Sequence, residues 1–303
     1  MTELTGRARE WVETVALPDV EIVRISVLTG GYRNDNLLLE GVDGGKWVLR
    51  GYGSANRADV ETALAAKLRG VVPVAGVVAK DPAGPSLLLD FVEGTPVDRL
   101  LPTLSTTEAE AVGVAAGRVL AAIGTIEFDR PGFFADASLQ PKPNEPMDLA
   151  TFVEESYLDP GWDLSPYEVD GLRSLARAWT PLADAVGKAA SLVHADFNPK
   201  NLLAERDGES WRITVLDWEF AFSGNPLADL GNVLRFGQTS FTAGVVAGVG
   251  PLPDGWRDTA RALDLFALAD FLSRPPKQPL AADIRDVVRK LVQRGPSSNT
   301  STT

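Results

Sequence analysis

Residues 191–222 read SLVHADFNPKNLLAERDGESWRITVLDWEFAF, and they hold the only histidine of the 303-residue chain. A short apolar run ends at Val193, and a second apolar stretch, RITVL, runs into Asp217. Between them His194, Asp196, Asn198 and Asn201 crowd into one polar loop. Asp and Asn are ordinary turn formers, and a lone histidine beside an apolar triplet suits a core position. The ordered set of His, Asp, Asn and Asp, with apolar strands on both sides, points instead to a reaction centre.

Phosphoryl transfer demands such a set. Its transition state is loose and in line, so the protein supplies position and charge rather than covalent chemistry. One carboxylate must orient a hydroxyl and take its proton. A second carboxylate and an amide oxygen must hold magnesium, which favours a few hard oxygen ligands. Protein kinases write these groups as H-R-D-x-x-x-x-N followed by D-F-G. On that spacing Asp196 takes the hydroxyl, while Asn201 and Asp217 hold magnesium.

HADFNPKNLL, then VLDWE, then NPLADLGN together resemble the aminoglycoside phosphotransferase and choline kinase branch of the protein-kinase-like fold. That branch writes H-G-D-x-x-x-x-N, then I-D-W-E or I-D-F, then D-P-x-x-D-L. The resemblance runs from about Val27 to the late helices. It implies an α+β, bilobal fold: a small antiparallel β lobe with one helix, and a larger mainly helical lobe. It also implies that His194 orients the loop by hydrogen bonding and transfers no proton. Lys200 is open between a γ-phosphate contact and a solvated surface position.

The pattern along the chain agrees with two lobes. Residues 1–92 hold an amphipathic N-terminal helix, five short apolar stretches that read as strands, and one helix pattern, ANRADVETALAAKLRG, closed by Gly70. Residues 93–295 read as mostly helical; STTEAEAV opens with Ser105 and Glu108 at capping-box spacing. Residues 296–303 are polar and are expected to be disordered. In the small lobe, Gly30 and Gly31 suit a tight turn over phosphates, though a plain hairpin looks similar. Tyr32 and Asn34 stand where the family loop covers the triphosphate. In KWVLRGY, Val48 and Arg50 share one strand face. Arg50 occupies the place of the usual kinase lysine, a departure that a guanidinium tolerates because it pairs with carboxylate and phosphate; Lys46, on the same face, is the alternative. Glu61 is the expected helix partner, or else an exposed helix glutamate. LLLDFVEGTP would be the hinge, with backbone groups of Asp90 and Val92 facing the base, and nothing in it separates ATP from GTP.

Between Pro131 and Pro181, Glu154, Glu155, Asp159 and Asp163, interleaved with Tyr157 and Trp162, read either as an acidic rim for an amine-bearing substrate or as a solvated helix face. Trp218, Glu219 and Asp229 are further substrate candidates by proximity in sequence. No A-P-E segment or long activation segment follows Asp217, which argues against a protein kinase. The net charge of −12 repels nucleic acid and anionic membranes and attracts cations. The absence of cysteine excludes disulfides and thiolate chemistry. No apolar run of about 18 residues marks a membrane span, and the N-terminus lacks a secretory pattern. The expectation is therefore a cytoplasmic protein, monomeric or weakly dimeric, that uses Mg2+ and ATP or GTP to phosphorylate a cationic antibiotic of aminoglycoside or tuberactinomycin type. A metabolic kinase for choline, homoserine, a sugar or a nucleoside is the alternative. A catalytically silent nucleotide-binding protein is the third reading, against which Asp196, Asn201 and Asp217 all speak.

Overall fold

The computed structural model describes residues 6–28, 34–53, 56–142, 147–276 and 280–296. Gly30, Gly31, Tyr32 and residues 297–303 lie outside the described residues, as does the side chain of Asn34. A five-stranded antiparallel sheet forms the small lobe, in the order β1-β2-β3-β5-β4. Its strands are β1 (Ile22–Val27), β2 (Asn34–Gly41), β3 (Lys46–Tyr52), β4 (Val77–Lys80) and β5 (Ser86–Asp90). Period-two alternation explains how it is covered. Leu37, Leu39, Leu49 and Leu88 form one face, closed by Trp11, Val12 and Leu17 from α1 (Gly6–Trp11) and the π-turn after it. Val48 and Arg50 point to the other face, toward α2 (Ala58–Leu68) and the second lobe.

Helix α2 joins the lobes. Val60, Leu64 and Leu68 pack into the same core as α4 (Thr106–Gly124) and strands β10 (Leu202–Asp207) and β11 (Ser210–Val215). β6 (Thr95–Pro96) and α3 (Val97–Leu100) follow β5, and β6 pairs with β10. The capping box expected at Ser105 and Glu108 opens α4. A second, at Ser165 and Glu168, opens α6 (Pro166–Val186). A small sheet in the order β8-β7-β12-β9 brings together β7 (Gly132–Phe134), β8 (Pro141–Lys142), β9 (Ser191–Val193) and β12 (Phe222–Gly224). Its pairing of Val193 with Phe222 places the start of the His194 loop beside the end of the Asp217 segment. Around this frame lie α5 (Leu149–Glu155), α7 (Leu227–Phe236), α8 (Thr239–Val249), α9 (Trp256–Leu272) and α10 (Leu280–Arg294). α5, α6, α9 and α10 share a second core built on Trp162, Trp179 and Leu265. No helix among the described residues is long and apolar enough to cross a membrane.

Candidate active site

The loop after β9 is organised by its own polar groups. His194 is fully buried; its Nε2–H donates to the Leu216 carbonyl at 2.9 Å, and its Nδ1 accepts from the Asp196 N–H at 3.2 Å. Both ring nitrogens are thus committed in the neutral form, and burial lowers the imidazole pKa to about 4. The histidine ties the Asp196 loop to the residue preceding Asp217. From below, Asp229 accepts the backbone N–H groups of His194 at 2.9 Å and Ala195 at 2.8 Å. Ala195 stands where the family pattern has glycine, and it takes the left-handed φ of 69° that glycine adopts freely.

The Asp196 carboxylate is held by two amides. Asn198 Nδ2 donates to Oδ1 at 2.7 Å and Asn201 Nδ2 to Oδ2 at 2.8 Å. Burial, and then the nearby Asp217, push this carboxyl above its ordinary range; Asn201, Arg235 and Asn198 pull it back. A raised pKa makes the ionised form a better proton acceptor. A chain from α9 and α7 supports the loop: Asp264 pairs with Arg235 at 3.0 Å. With the Asn232 amide turned to satisfy both its ends, its oxygen accepts from Arg235 Nη2 at 2.8 Å and its nitrogen donates to the Phe197 carbonyl at 3.2 Å.

Because Asn201 Nδ2 is spent on Asp196, its Oδ1 is the atom left to face a cation. Asp217 supplies a second hard oxygen, at a side chain 24% exposed. Among the described residues no group of three or more His, Cys, Asp or Glu could hold a metal ion. One Asp and one Asn oxygen, completed by water and phosphate, is a donor set that fits magnesium and no all-protein cage.

Arg50 lies between the lobes. Its Nη1 donates to Glu61 Oε2 at 2.8 Å and to Asp217 Oδ1 at 3.1 Å, and its Nε to Asn36 Oδ1 at 3.2 Å. Nη2 makes none of these three bonds, which leaves it the guanidinium nitrogen placed to meet a phosphate. Burial by itself would lower the guanidinium pKa, but Glu61 and Asp217 reverse this and raise it. Burial pushes Glu61 up while Arg50 opposes. Lys46, the alternative to Arg50, is exposed and pairs with Glu93 at 3.1 Å. In the segment expected to form the hinge, the Asp90 N–H is taken by the Gly76 carbonyl at 2.9 Å, so it offers no donor to a base. Val92 follows in an unpaired segment and, among the described residues, its backbone groups have no backbone partner. Val48 is half-buried on the Arg50 face.

Residues 24–266 match the profile of the phosphotransferase enzyme family. The chain belongs to this family. A search of the curated proteins by sequence finds no match. Among solved structures the phosphotransferase is similar to a putative fructosamine-3-kinase from Thermobifida fusca, at 21% identity and a TM-score of 0.61, over 94% of this chain and 99% of that one. It is also similar to a thermostable mutant of an aminoglycoside phosphotransferase, in ternary complex with ADP and hygromycin B. That likeness has 19% identity and a TM-score of 0.66, over 94% and 99%. A wild-type aminoglycoside 2'-phosphotransferase in complex with GDP gives 16% identity and a TM-score of 0.69, over 96% and 99%. These likenesses establish the bilobal fold.

Several of the residues expected to contact the substrate of the phosphotransferase are engaged by other parts of the chain. Asp229 is fully buried, and both its oxygens accept from the His194 loop, so it offers no surface to a ligand. Trp218 is a core residue, 6% exposed, edge-on to His194. Glu219 is buried, and its charge adds to the negative field around Arg50. In the acidic segment, Glu154 pairs with Arg173 and Arg177, Asp159 caps a short turn through the Gly161 N–H, and Asp163 sits at a left-handed turn with φ 53°. Trp162 belongs to the second core and donates its N–H to the Arg274 carbonyl. Glu155 and Tyr157 stand exposed. Lys200 is exposed on the turn Pro199–Asn201. The sequence reading missed Asn36, Asn232, Arg235 and Asp264. Of these only Asn36 left a signal: it faces Arg50 in the register of β2 and β3.

Proposed function

We propose that the protein transfers the γ-phosphate of ATP or GTP to a hydroxyl of an amine-bearing, hydroxylated small molecule. The observation that carries this is the Asp196 carboxylate, fixed by Asn198 and Asn201 with its pKa raised, in one loop with Asn201 Oδ1 and beside Asp217. Asp196 orients the acceptor hydroxyl and takes its proton as the bond to phosphorus forms. Arg50, held by Glu61, turns its remaining nitrogen toward the triphosphate and neutralises part of its charge. The Val92 backbone faces the base, and Val48 covers it. Asn201 and Asp217 are the residues that would hold magnesium. Magnesium held there would supply positive charge that offsets the charge building on the phosphate oxygens. His194 stays neutral and keeps the loop in register.

An amine-bearing acceptor follows from the net charge of −12 and from neighbours that include a fructosamine kinase and an aminoglycoside complex. A cationic antibiotic is the first reading, with modification giving resistance. The second is a metabolic kinase of an amine-bearing sugar. It is favoured by the acidic segment, where Glu154 and Asp159 are occupied by neighbours and leave few carboxylates for a polycation. The test is nucleotide turnover, with ATP and GTP in parallel, across aminoglycosides, tuberactinomycin-type peptides, fructosamines, choline, homoserine and nucleosides. Turnover on an aminoglycoside with none on fructosamines supports the first reading, and the reverse supports the second. Turnover confined to uncharged acceptors contradicts both.

A further inference from the structure

Asp217 adopts a left-handed backbone, with φ 65°. A residue with a Cβ holds such a conformation only where its surroundings over-determine it. On the N-terminal side the restraint is local: the Leu216 N–H donates to the Asn201 carbonyl at 2.8 Å, and the Leu216 carbonyl accepts from His194 at 2.9 Å. Beyond Asp217 the restraint comes from the other lobe. Arg57 Nε donates to the Glu219 carbonyl at 3.0 Å and Arg57 Nη1 to the Phe134 carbonyl at 2.8 Å. Arg57 occupies the N-cap of α2 and makes no side-chain cap bond. The helix dipole disfavours a cation at that position, so helix formation does not account for arginine there, whereas the two carbonyls do. Helix α2 therefore reaches the Asp217 segment twice: Glu61 holds the Arg50 that meets the Asp217 side chain, and Arg57 grips the backbone two residues on.

We propose that Arg57 is a positioning residue for the Asp217 carboxylate, clamping the backbone behind it from the small lobe so that lobe approach and carboxylate alignment are one event. The proposal rests on the reading of Asp217 as a magnesium ligand in its binding consequence, and on geometry alone in its backbone consequence. The experiment measures both on the intact protein and on its Arg57→Ala and Arg57→Lys variants. Hydrogen exchange without metal or nucleotide reads residues 217–221. ADP affinity, with and without magnesium, reads the site.

Arg57→Ala is expected to speed exchange in 217–221 by about tenfold while exchange in α4 and α6 stays as in the wild type. Its ADP affinity without magnesium should hold within about twofold, while the magnesium-dependent gain shrinks by at least about fivefold. Arg57→Lys should recover part of both effects, because an ammonium keeps the charge but not the fork that spans two carbonyls. If Arg57→Ala fails to fold, the lysine variant carries the comparison, with intermediate exchange expected. Wild-type exchange in 217–221 for the variants overturns the proposal. A wild-type protein whose ADP affinity ignores magnesium contradicts the metal assignment instead, and exchange then decides the clamp by itself.

Discussion

His194 has no solvent exposure and no spare nitrogen, and this has a consequence in pH. In the unfolded chain it takes a proton near its ordinary pKa of about 6.5; in the fold it resists until about 4. Between those values the unfolded state binds the extra proton, so stability must fall as pH falls. The window corresponds to roughly 3 kcal/mol at about 1.4 kcal/mol per pKa unit. Unfolding free energies of the wild type and of His194→Gln, measured from pH 7 to pH 4, check this. The difference between the two curves should be flat above pH 6.5 and slope downward for the wild type below it. Parallel curves throughout would contradict the buried neutral imidazole.

Helices α4 and α8 meet through four glycines. A Cβ on Gly113 or Gly117 would lie 2.2 or 2.1 Å from the carbonyls of Phe241 or Val245, and one on Gly244 or Gly248 2.1 or 2.2 Å from those of Glu110 or Val114. Alanine in a helix interior is ordinarily favoured over glycine by about 1 kcal/mol. Gly117→Ala should instead destabilise, by about 2 kcal/mol, because the backbones would have to part. Chemical denaturation reads the sign, and a stabilised variant would contradict the packing. Legibility differs among the elements for related reasons. The capping box of α4 and the alternation in β3 are local, side-chain signals, and both are present in the fold. Helix α8, TSFTAGVVAGV, carries its packing logic in absent side chains, so no side-chain pattern in the sequence marks its contact with α4. The acidic segment 154–163 was open between a substrate rim and a solvated face. Composition counts charges, but it does not tell a free carboxylate from one capping a turn or paired with arginine, as Asp159 and Glu154 are. The structure brings His194, Asp196, Asn201 and Asp217 together, and their fixed spacing is what a sequence displays. Arg57, Arg235 and Asp264 were not legible: they arrive from distant segments, and Arg57 binds carbonyls, which leave no trace in a sequence.

The two lobes meet around one buried arginine. Arg50 reaches a helix carboxylate in its own lobe and the Asp217 carboxylate in the other, and Val74 bridges to Val215 nearby. Removing the cation alone leaves Glu61 buried without a counter-charge. Arg50→Met should therefore cost about 3–5 kcal/mol of stability as well as nucleotide turnover. The double variant Arg50→Met with Glu61→Leu should regain most of that stability, since the buried charges leave together, but none of the turnover. Thermal unfolding and steady-state kinetics on the three proteins separate the roles. Recovery of turnover in the double variant would show that Arg50 does not serve the nucleotide.

The central claim is that Asp196 orients and deprotonates the acceptor while other groups hold the nucleotide. Asp196→Asn preserves the size of the side chain, so lost packing would not explain a defect. The measurement is single-turnover phosphate transfer to the acceptor selected by the turnover panel, paired with magnesium–nucleotide affinity on the same sample. The account predicts nucleotide binding within about threefold of the wild type and transfer slowed by about 10²–10⁴. Transfer at a near-wild-type rate in Asp196→Asn would contradict it.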